Sequence, residues 1–585
     1  MSLLQVEGLT IRYGDSEVVR DLSFAIEAGE SVGLVGESGS GKSQTALAVL
    51  GLLPGNAVTN GSVLLKGTEV LGASEKTLNG LRARHVAMVF QDPMQALNPF
   101  VRIGAQLRLI LVTHQLAFGK EADALVLNML RRVGLPDPER QFHAYPHQLS
   151  GGMRQRAMIA SALIAAPELL IADEPTSALD VTVQAQVLEL LEEIRRDTTL
   201  LLITHDLGII AGHCERMLVL EQGRLVESGT TVDVFASPQH EHTAALIDAA
   251  LRLDRGDVLS AVAGNEVLKL CNVSVSYNER NGDSLQAVHE LSLSVRAGET
   301  VAVVGESGSG KSSLVRAALG LVPLQSGRVL FCGEELAGLA QFRTIAVRRD
   351  LQLVFQDPLG SLNPQMRVAT IVDEPLRVHE RGLSSEERQK QVEAILGRVG
   401  LDKSYLARFP HELSGGQAQR VAIARALILK PKVLVCDEAV AALDGSVRKQ
   451  ILALLRDAQK DSGLAIVFIT HDLAVVRAIS HRVLVMYMGR LVELADCAAL
   501  YSRAQHPYTK ALLDAVPVPD PAAAGGTVSL SGEVSSILSP PSGCAFHPRC
   551  RFAKDICRAE LPLPRIVNGT MVACHRAEEI NPSFA

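Results

Sequence analysis

Residues 36 to 43 read Gly-Glu-Ser-Gly-Ser-Gly-Lys-Ser, and residues 305 to 312 repeat that string without change. A glycine-rich loop ending in Lys-Ser brings backbone N–H groups, an ammonium and a hydroxyl together, which is the set that holds a chain of phosphates and its cation. On this reading Gly36, Ser38, Gly39 and Gly41 form one cradle and Gly305, Ser307, Gly308 and Gly310 the other. Lys42 and Lys311 reach the β- and γ-phosphates of ATP, and Ser43 and Ser312 ligate Mg2+. Further along, Leu169-Leu170-Ile171-Ala172 runs into Asp173-Glu174, and Val433-Leu434-Val435-Cys436 into Asp437-Glu438. In each acid pair the aspartate, Asp173 or Asp437, holds Mg2+ through water, while Glu174 or Glu438 polarises an attacking water as general base. Leu-Ser-Gly-Gly at 149–152 and 413–416 precedes helical-looking segments. There Ser150 and Ser414 stand at N-cap positions, and Gly151, Gly152, Gly415 and Gly416 expose further N–H groups, which makes each segment a second anion site.

Such groups act only if the chain positions them. Each glycine loop follows an apolar run, Val32 to Val35 or Val301 to Val304, and opens a helix-compatible segment, the strand–loop–helix setting that a phosphate loop requires. The runs before the acid pairs are continuously apolar, as in strands buried on both faces, so the carboxylates sit at strand C-terminal ends, where open parallel sheets place their ligand chemistry. The copies keep a nearly constant separation of 264 to 269 residues, through Phe90-Gln91-Asp92-Pro93 and Phe355-Gln356-Asp357-Pro358 as well as Thr204-His205-Asp206 and Thr470-His471-Asp472. A period that long is a duplicated domain. The chain divides into a first half at 1–253, a short link at 254–265, a second half at 266–516 and a tail at 517–585 that opens on Pro517, Pro519, Pro521, Gly525 and Gly526.

At 585 residues with 47% hydrophobic and 21% charged side chains, the chain is globular and long enough for two large cores. No apolar stretch reaches the roughly 20 residues of a bilayer span, and Met1 to Tyr13 carries no export signal, so a cytosolic chain is expected. A formal charge of −7 argues against a broad nucleic-acid surface. Nine cysteines in a reducing compartment are not expected as disulfides; four of them, Cys544, Cys550, Cys557 and Cys574, crowd into the last 42 residues, which asks for a metal. They are separated by five, six and sixteen residues. Structural zinc favours close Cys pairs, and four soft thiolates at loose spacing suit a [4Fe–4S] cluster better, with zinc and unligated thiols as the alternatives.

Taken in order, phosphate loop, glutamine after an apolar strand, Leu-Ser-Gly-Gly, Asp-Glu and strand-terminal histidine resemble the ATP-binding-cassette (ABC) ATPases over about 500 of the 585 residues. The resemblance implies an α/β fold with two P-loop ABC ATPase domains in tandem, each a RecA-like core with a helical subdomain, followed by a small Cys-rich extension. It implies head-to-tail pairing, with ATP on Lys42 capped by Ser414, Gly415 and Gly416, and ATP on Lys311 capped by Ser150, Gly151 and Gly152. It further implies that Gln91 and Gln356 sense Mg2+ or water, that His205 and His471 contact the γ-phosphate, and that Tyr13 and Tyr277 stack on adenine. One departure stands out: Asp173-Glu-Pro-Thr-Ser-Ala-Leu-Asp180 in the first half becomes Asp437-Glu-Ala-Val-Ala-Ala-Leu-Asp444 in the second, so equal rates at the two sites are not expected.

The strings from Gln91 to Pro99 and from Gln356 to Pro364, and His506-Pro507-Tyr508-Thr509 before an apolar helix, look like the peptide and nickel importer subfamily; the first half has only a degraded His240-Glu-His-Thr243. The tail also resembles the C-terminal extension of peptide-importer ATPases, some of which hold a [4Fe–4S] cluster. The resemblance implies two integral-membrane permeases, an extracytoplasmic solute-binding protein, a peripheral place on the cytoplasmic face of the membrane, and uptake of peptides or related small solutes. A tandem cassette acting on ribosomes or nucleic acid would carry a long charged linker or inserted zinc modules, and an exporter ATPase would lack the long importer strings.

Overall fold

The computed structural model describes residues 2–37, 39–176, 179–255, 259, 262, 264–278, 284–336, 344–440, 443, 445–522 and 540–580. Ser38 of the first glycine loop, Asp444 of the second acidic stretch, much of the 254–265 link and residues 523–539 of the tail, with Gly525 and Gly526, lie outside them. The chain forms two compact units, one of Met1–Leu251 with Pro517–Ser529 and the other of Arg252–Val516 with Leu530–Ala585.

In the first unit a six-stranded sheet runs in the order Arg224–Thr230, Arg216–Glu221, Ser31–Gly36, Thr199–Ile203, Leu169–Asp173 and Val86–Val89. Every neighbouring pair is parallel except the antiparallel pair at the Arg224–Thr230 edge. Ser31–Gly36, Leu169–Asp173 and Thr199–Ile203 are buried along their whole length, as continuous apolar runs require when both faces are covered. Burial of each Leu, Ile or Val is worth roughly 1.5–3 kcal/mol. A strand of four or five such residues is therefore a firm mount for whatever follows it. Beside this sheet lies an antiparallel one, Ser16–Glu27, Ser2–Tyr13, Ala57–Leu65 and Thr68–Glu69. Helices Ile103–Thr113, Gly119–Arg132, Pro138–His143 and Gly151–Leu163 supply a helical layer whose apolar faces (Leu107, Leu111, Val126, Leu130, Ile159) close one core.

The second unit repeats this plan. Its parallel strands run Leu351–Val354, Val433–Asp437, Ala465–Ile469, Thr300–Val304 and Arg482–Tyr487, and the antiparallel Arg490–Asp496 follows. Here the sheet continues into the tail: Thr570–Val572 pairs with Arg490–Asp496, and Arg565–Val567 folds back on it, giving eight strands. The two-residue turn between them, Asn568-Gly569, has φ of 50° and 79°, the left-handed pair that this hairpin turn needs. Phe546 inserts among Tyr487, Tyr508 and His506, with ring centroids 5.5, 5.3 and 5.7 Å away. The described part of the tail from 540 onward is thus built into the second unit.

The glycine loops show why glycine is needed. Gly36 (φ 154°) and Gly305 (φ 149°) lie so close to the next strand that a Cβ would sit 2.3 Å from Leu220 O and 2.2 Å from Met486 O. Gly41 (φ 96°) and Gly310 (φ 97°) cap the helices Lys42–Val49 and Lys311–Ala318 in a left-handed conformation.

Candidate functional site

The sheet order brings the chemistry to one edge. In the first unit Gly36 ends the central strand, Asp173-Glu174 ends a strand two places away, His205 follows the strand between them, and Gln91 follows the next strand outward. All four therefore emerge at the C-terminal edge of one parallel sheet, where such sheets carry ligand chemistry.

Lys42 is buried, and its ammonium donates to Gly36 O and Glu37 O at 2.8 Å each. Lys311 repeats this on Gly305 O and Glu306 O, again at 2.8 Å. Ser43 stands close enough to the carboxylate of Asp173 to lower its pKa, and Ser312 does the same for Asp437. Burial pushes both aspartates above the usual carboxylate range, with the neighbouring glutamate adding to it. Asp173 Oδ1 is buried without a hydrogen-bond partner among the described residues, an acceptor that a hydrated cation beside Ser43 would satisfy. The residues thus fit Mg2+.

Glu174 and Glu438 take left-handed backbone, φ 45° and 50°, and their N–H groups bond Ile203 O at 2.8 Å and Ile469 O at 3.0 Å. Bonded outward to the neighbouring strand in this conformation, each glutamate leaves the strand direction at the turn, a strain worth roughly 1–3 kcal/mol that clusters at functional positions. Gln91 Nε2 donates to Glu174 Oε2 at 2.7 Å, and His205 Nδ1 lies 3.1 Å from Oε1. In the second unit Gln356 Nε2 donates to Glu438 Oε2 at 2.7 Å, and His471 Nδ1 stands 3.6 Å from Oε1. Burial raises the Glu174 carboxyl, but His205, Lys42 and Gln91 outweigh it, and the group lies below its ordinary value. For Glu438 the bond to His471 is the largest influence and again lowers it. His471 is penalised by burial, yet Glu438 and Asp472 hold its pKa above the ordinary value. Each glutamate is therefore ionised near neutral pH, as a base must be.

Ser150 and Ser414 cap helices Gly151–Leu163 and Gly415–Leu427, accepting from Met153 N and Gln417 N. Both serines are exposed, and nothing lies within 4 Å of where a Cβ on Gly151 or Gly415 would stand, so each helix start presents its N–H groups openly. Gly152 and Gly416 pack on Val183 and Leu443. Tyr13 packs on the core shared by the first unit's two sheets (Leu4, Ile11, Leu34, Leu201) and donates to Gln44 Oε1 at 2.6 Å; Tyr277 packs on the matching core of the second unit (Leu270, Val303, Val467) and donates to Ser313 Oγ at 3.2 Å.

The halves differ where their sequences do. Gln155 Nε2 donates to Pro175 O at 2.6 Å; the equivalent Gln419 Nε2 is buried with no partner among the described residues. A second feature escaped the motif reading. Glu227 accepts from Gln239 N and His240 N at 2.7 and 3.1 Å, and Glu493, fully buried, accepts from Gln505 N and His506 N at 2.8 and 3.0 Å. The signal was a Glu and a Gln-His pair recurring at the repeat separation, which shows that His240-Glu-His-Thr243 keeps the same local clamp.

In the tail, Cys544, Cys550, Cys557 and Cys574 all line one small cavity. Burial pushes the thiols of Cys544 and Cys574 up to about 11 and about 12. Among the described residues no group of three or more Cys, His, Asp or Glu is placed to hold a single metal ion. Likewise, no helix of the described residues is long and apolar enough to cross a membrane.

Comparison with known proteins agrees with this geometry. The ABC transporter family model matches residues 19–177 and 288–441. The model for the oligopeptide/dipeptide transporter C-terminal region matches 492–557 and also 226–274, so the first half carries this region too. The glutathione import ATP-binding protein of Escherichia coli K12 is 43% identical over 565 residues, covering 89% of this chain and 90% of that protein. Its Shigella sonnei counterpart is 43% identical over 563 residues at the same coverage. Among solved structures, the ATP-binding cassette MJ0796 bound to ADP and Pi is 30% identical over 39% of this chain and 98% of its own, with a TM-score of 0.37. With both cassettes matched and identity sustained along nearly the whole length, the chain belongs to the ABC transporter family as a tandem ATP-binding-cassette ATPase.

Proposed function

We propose that this protein drives uptake of peptides or related small solutes, glutathione among them, by hydrolysing ATP at two composite sites on the cytoplasmic face of a membrane. In this reading two separate permease subunits carry the solute, delivered by an extracytoplasmic binding protein. The observation that carries it is the coincidence, twice in one chain, of a complete hydrolytic set with the oligopeptide/dipeptide C-terminal region, supported by the 43% identity to a glutathione importer's ATPase.

ATP lies on Lys42 or Lys311 with its adenine against Tyr13 or Tyr277, and Gly36, Gly39 and Gly41, or Gly305, Gly308 and Gly310, let the loop close on its phosphates. The open helix starts at Ser150 and Ser414 are the complement: each caps the nucleotide held by the other half. Ser43, Gln91 and Asp173, with Ser312, Gln356 and Asp437, hold Mg2+, which when bound supplies positive charge to the phosphate oxygens. Glu174 and Glu438, ionised and braced by Gln91 and Gln356, polarise the water. His205 and His471 touch both that carboxylate and the γ-phosphate. Closure on ATP and release after hydrolysis give the permease two states. The missing hydroxyls after Glu438, and a Gln419 amide with no partner among the described residues, favour unequal turnover at the two sites.

Reconstituted with its permeases in vesicles, the protein is expected to hydrolyse ATP faster when solute-loaded binding protein is present, and comparing glutathione with di- and oligopeptides identifies the cargo. Failure of every such solute to stimulate hydrolysis in a complex that binds ATP would reject the importer reading. We assign Cys544, Cys550, Cys557 and Cys574 to a [4Fe–4S] cluster, on the ground that the four loosely spaced thiols line one cavity. Anaerobically purified protein should contain iron and acid-labile sulfide in equal amounts; stoichiometric zinc would refute the assignment.

A further inference from the structure

The tail meets the second phosphate loop at Glu306. Glu306, next after Gly305, and Arg549, inside the cysteine-bearing loop, form a two-pronged ion pair, Nη1–Oε2 at 2.7 Å and Nη2–Oε1 at 2.9 Å, with both side chains only 2% exposed. The Glu306 N–H donates to the Tyr508 hydroxyl at 2.9 Å, and its carbonyl accepts from the Lys311 ammonium. One residue of the loop is thus tied to the lysine, to the His-Pro-Tyr-Thr helix and to the tail. Arg549 in turn is fixed by a tight turn: His547 N–H donates to Cys544 O, Arg549 N–H to Phe546 O and Cys550 N–H to His547 O, at 2.9, 3.0 and 3.2 Å. Two of the four clustered cysteines therefore bracket the arginine.

Among the described residues no equivalent pair is built onto the first loop. Glu37 occupies the matching position, is only half-buried, and no cation pairs with its carboxylate among the described residues.

We propose that Arg549 is a positioning residue for the second phosphate loop, through which the cysteine-bearing tail sets how firmly that loop, and not the first, grips its nucleotide. A buried fork–fork pair fixes geometry as well as charge, because both guanidinium and carboxylate are planar and each prong must align. With Glu306 held, its carbonyl holds Lys311, so displacement of the 544–550 turn is passed to the ammonium through one side chain and one peptide group. The proposal rests on the reading of residues 305–312 as an ATP site.

The test uses the full-length chain and a fluorescent ATP analogue with Mg2+, one site silenced at a time. In a Lys42→Ala background, which reports the second loop, Arg549→Met should weaken binding about tenfold and Arg549→Lys less than that. In a Lys311→Ala background, which reports the first loop, neither should matter. Because Arg549→Met leaves a buried carboxylate unpaired and can unfold the tail, Glu306→Gln with Arg549→Met is the second variant; it removes both charges and should keep the thermal melting profile while retaining the weakened binding. Unchanged affinity at the second loop in that folded double variant, or equal losses at both loops, would overturn the proposal. If the Lys42→Ala chain binds no analogue even with Arg549 intact, it is the ATP-site reading that has failed.

Discussion

Replacing Glu174 and Glu438 together by glutamine lowers ATP turnover by about a thousandfold while leaving nucleotide binding nearly intact, measured as phosphate release beside equilibrium binding of ATP. The size follows from what the glutamates do: a positioned general base contributes on the order of 10²–10⁴ in rate. Binding survives because glutamine keeps the side-chain volume and an acceptor for the Nε2 of Gln91 or Gln356, and because Lys42 and Lys311 anchor to other groups. The separate variants are more informative about the asymmetry. If the second site is the slower, Glu174→Gln alone removes most of the turnover and Glu438→Gln the smaller share. Turnover at the full rate in the double variant would show that the water is activated by some other group.

Lys42→Ala or Lys311→Ala weakens ATP at its own loop by about a hundredfold, read by equilibrium binding with the other loop disabled by the matching substitution. Charge-assisted hydrogen bonds to phosphate are worth about 1.5–3 kcal/mol each, and removal of the ammonium takes more than one. The described geometry adds a second loss. Each ammonium also ties two carbonyls of its own loop, Gly36 and Glu37 or Gly305 and Glu306, so the cradle loosens when the lysine goes. An affinity that holds within threefold would mean that the lysines serve the loop alone and not the phosphates.

The candidate nucleotide sites are legible in the sequence because their parts are short, contiguous and repeated. Apolar runs that end in Asp-Glu had to be buried strands, and Leu169–Asp173 and Val433–Asp437 are. What the sequence did not reveal is whatever depends on two distant segments meeting. Glu306 and Arg549 are 243 residues apart, and each read alone is an ordinary surface-prone charge. The left-handed backbone of Glu174 and Glu438 was equally hidden, since glycine or asparagine is the residue that announces such a conformation. The tail hairpin is a different case: its strands are only three residues each, too short for alternation to register, yet the Asn568-Gly569 between them is a strong local signal for a turn. The clamp of Glu227 on Gln239 and His240 has no local signature, because the acid lies twelve and thirteen residues before the amides that it accepts from.

Those same tail strands carry a consequence for how the molecule behaves in company. Without them, strand Arg490–Asp496 would be the border of its sheet, a ladder of free amides and carbonyls flanked by Leu491, Val492 and Leu494, all nearly inaccessible to water in the intact chain. Such a border recruits strands from neighbouring molecules. Natural or accidental clipping ahead of residue 540 would thus leave a cassette whose flank is sticky, so that loss of solubility would accompany the loosening of the second loop that follows from losing Arg549.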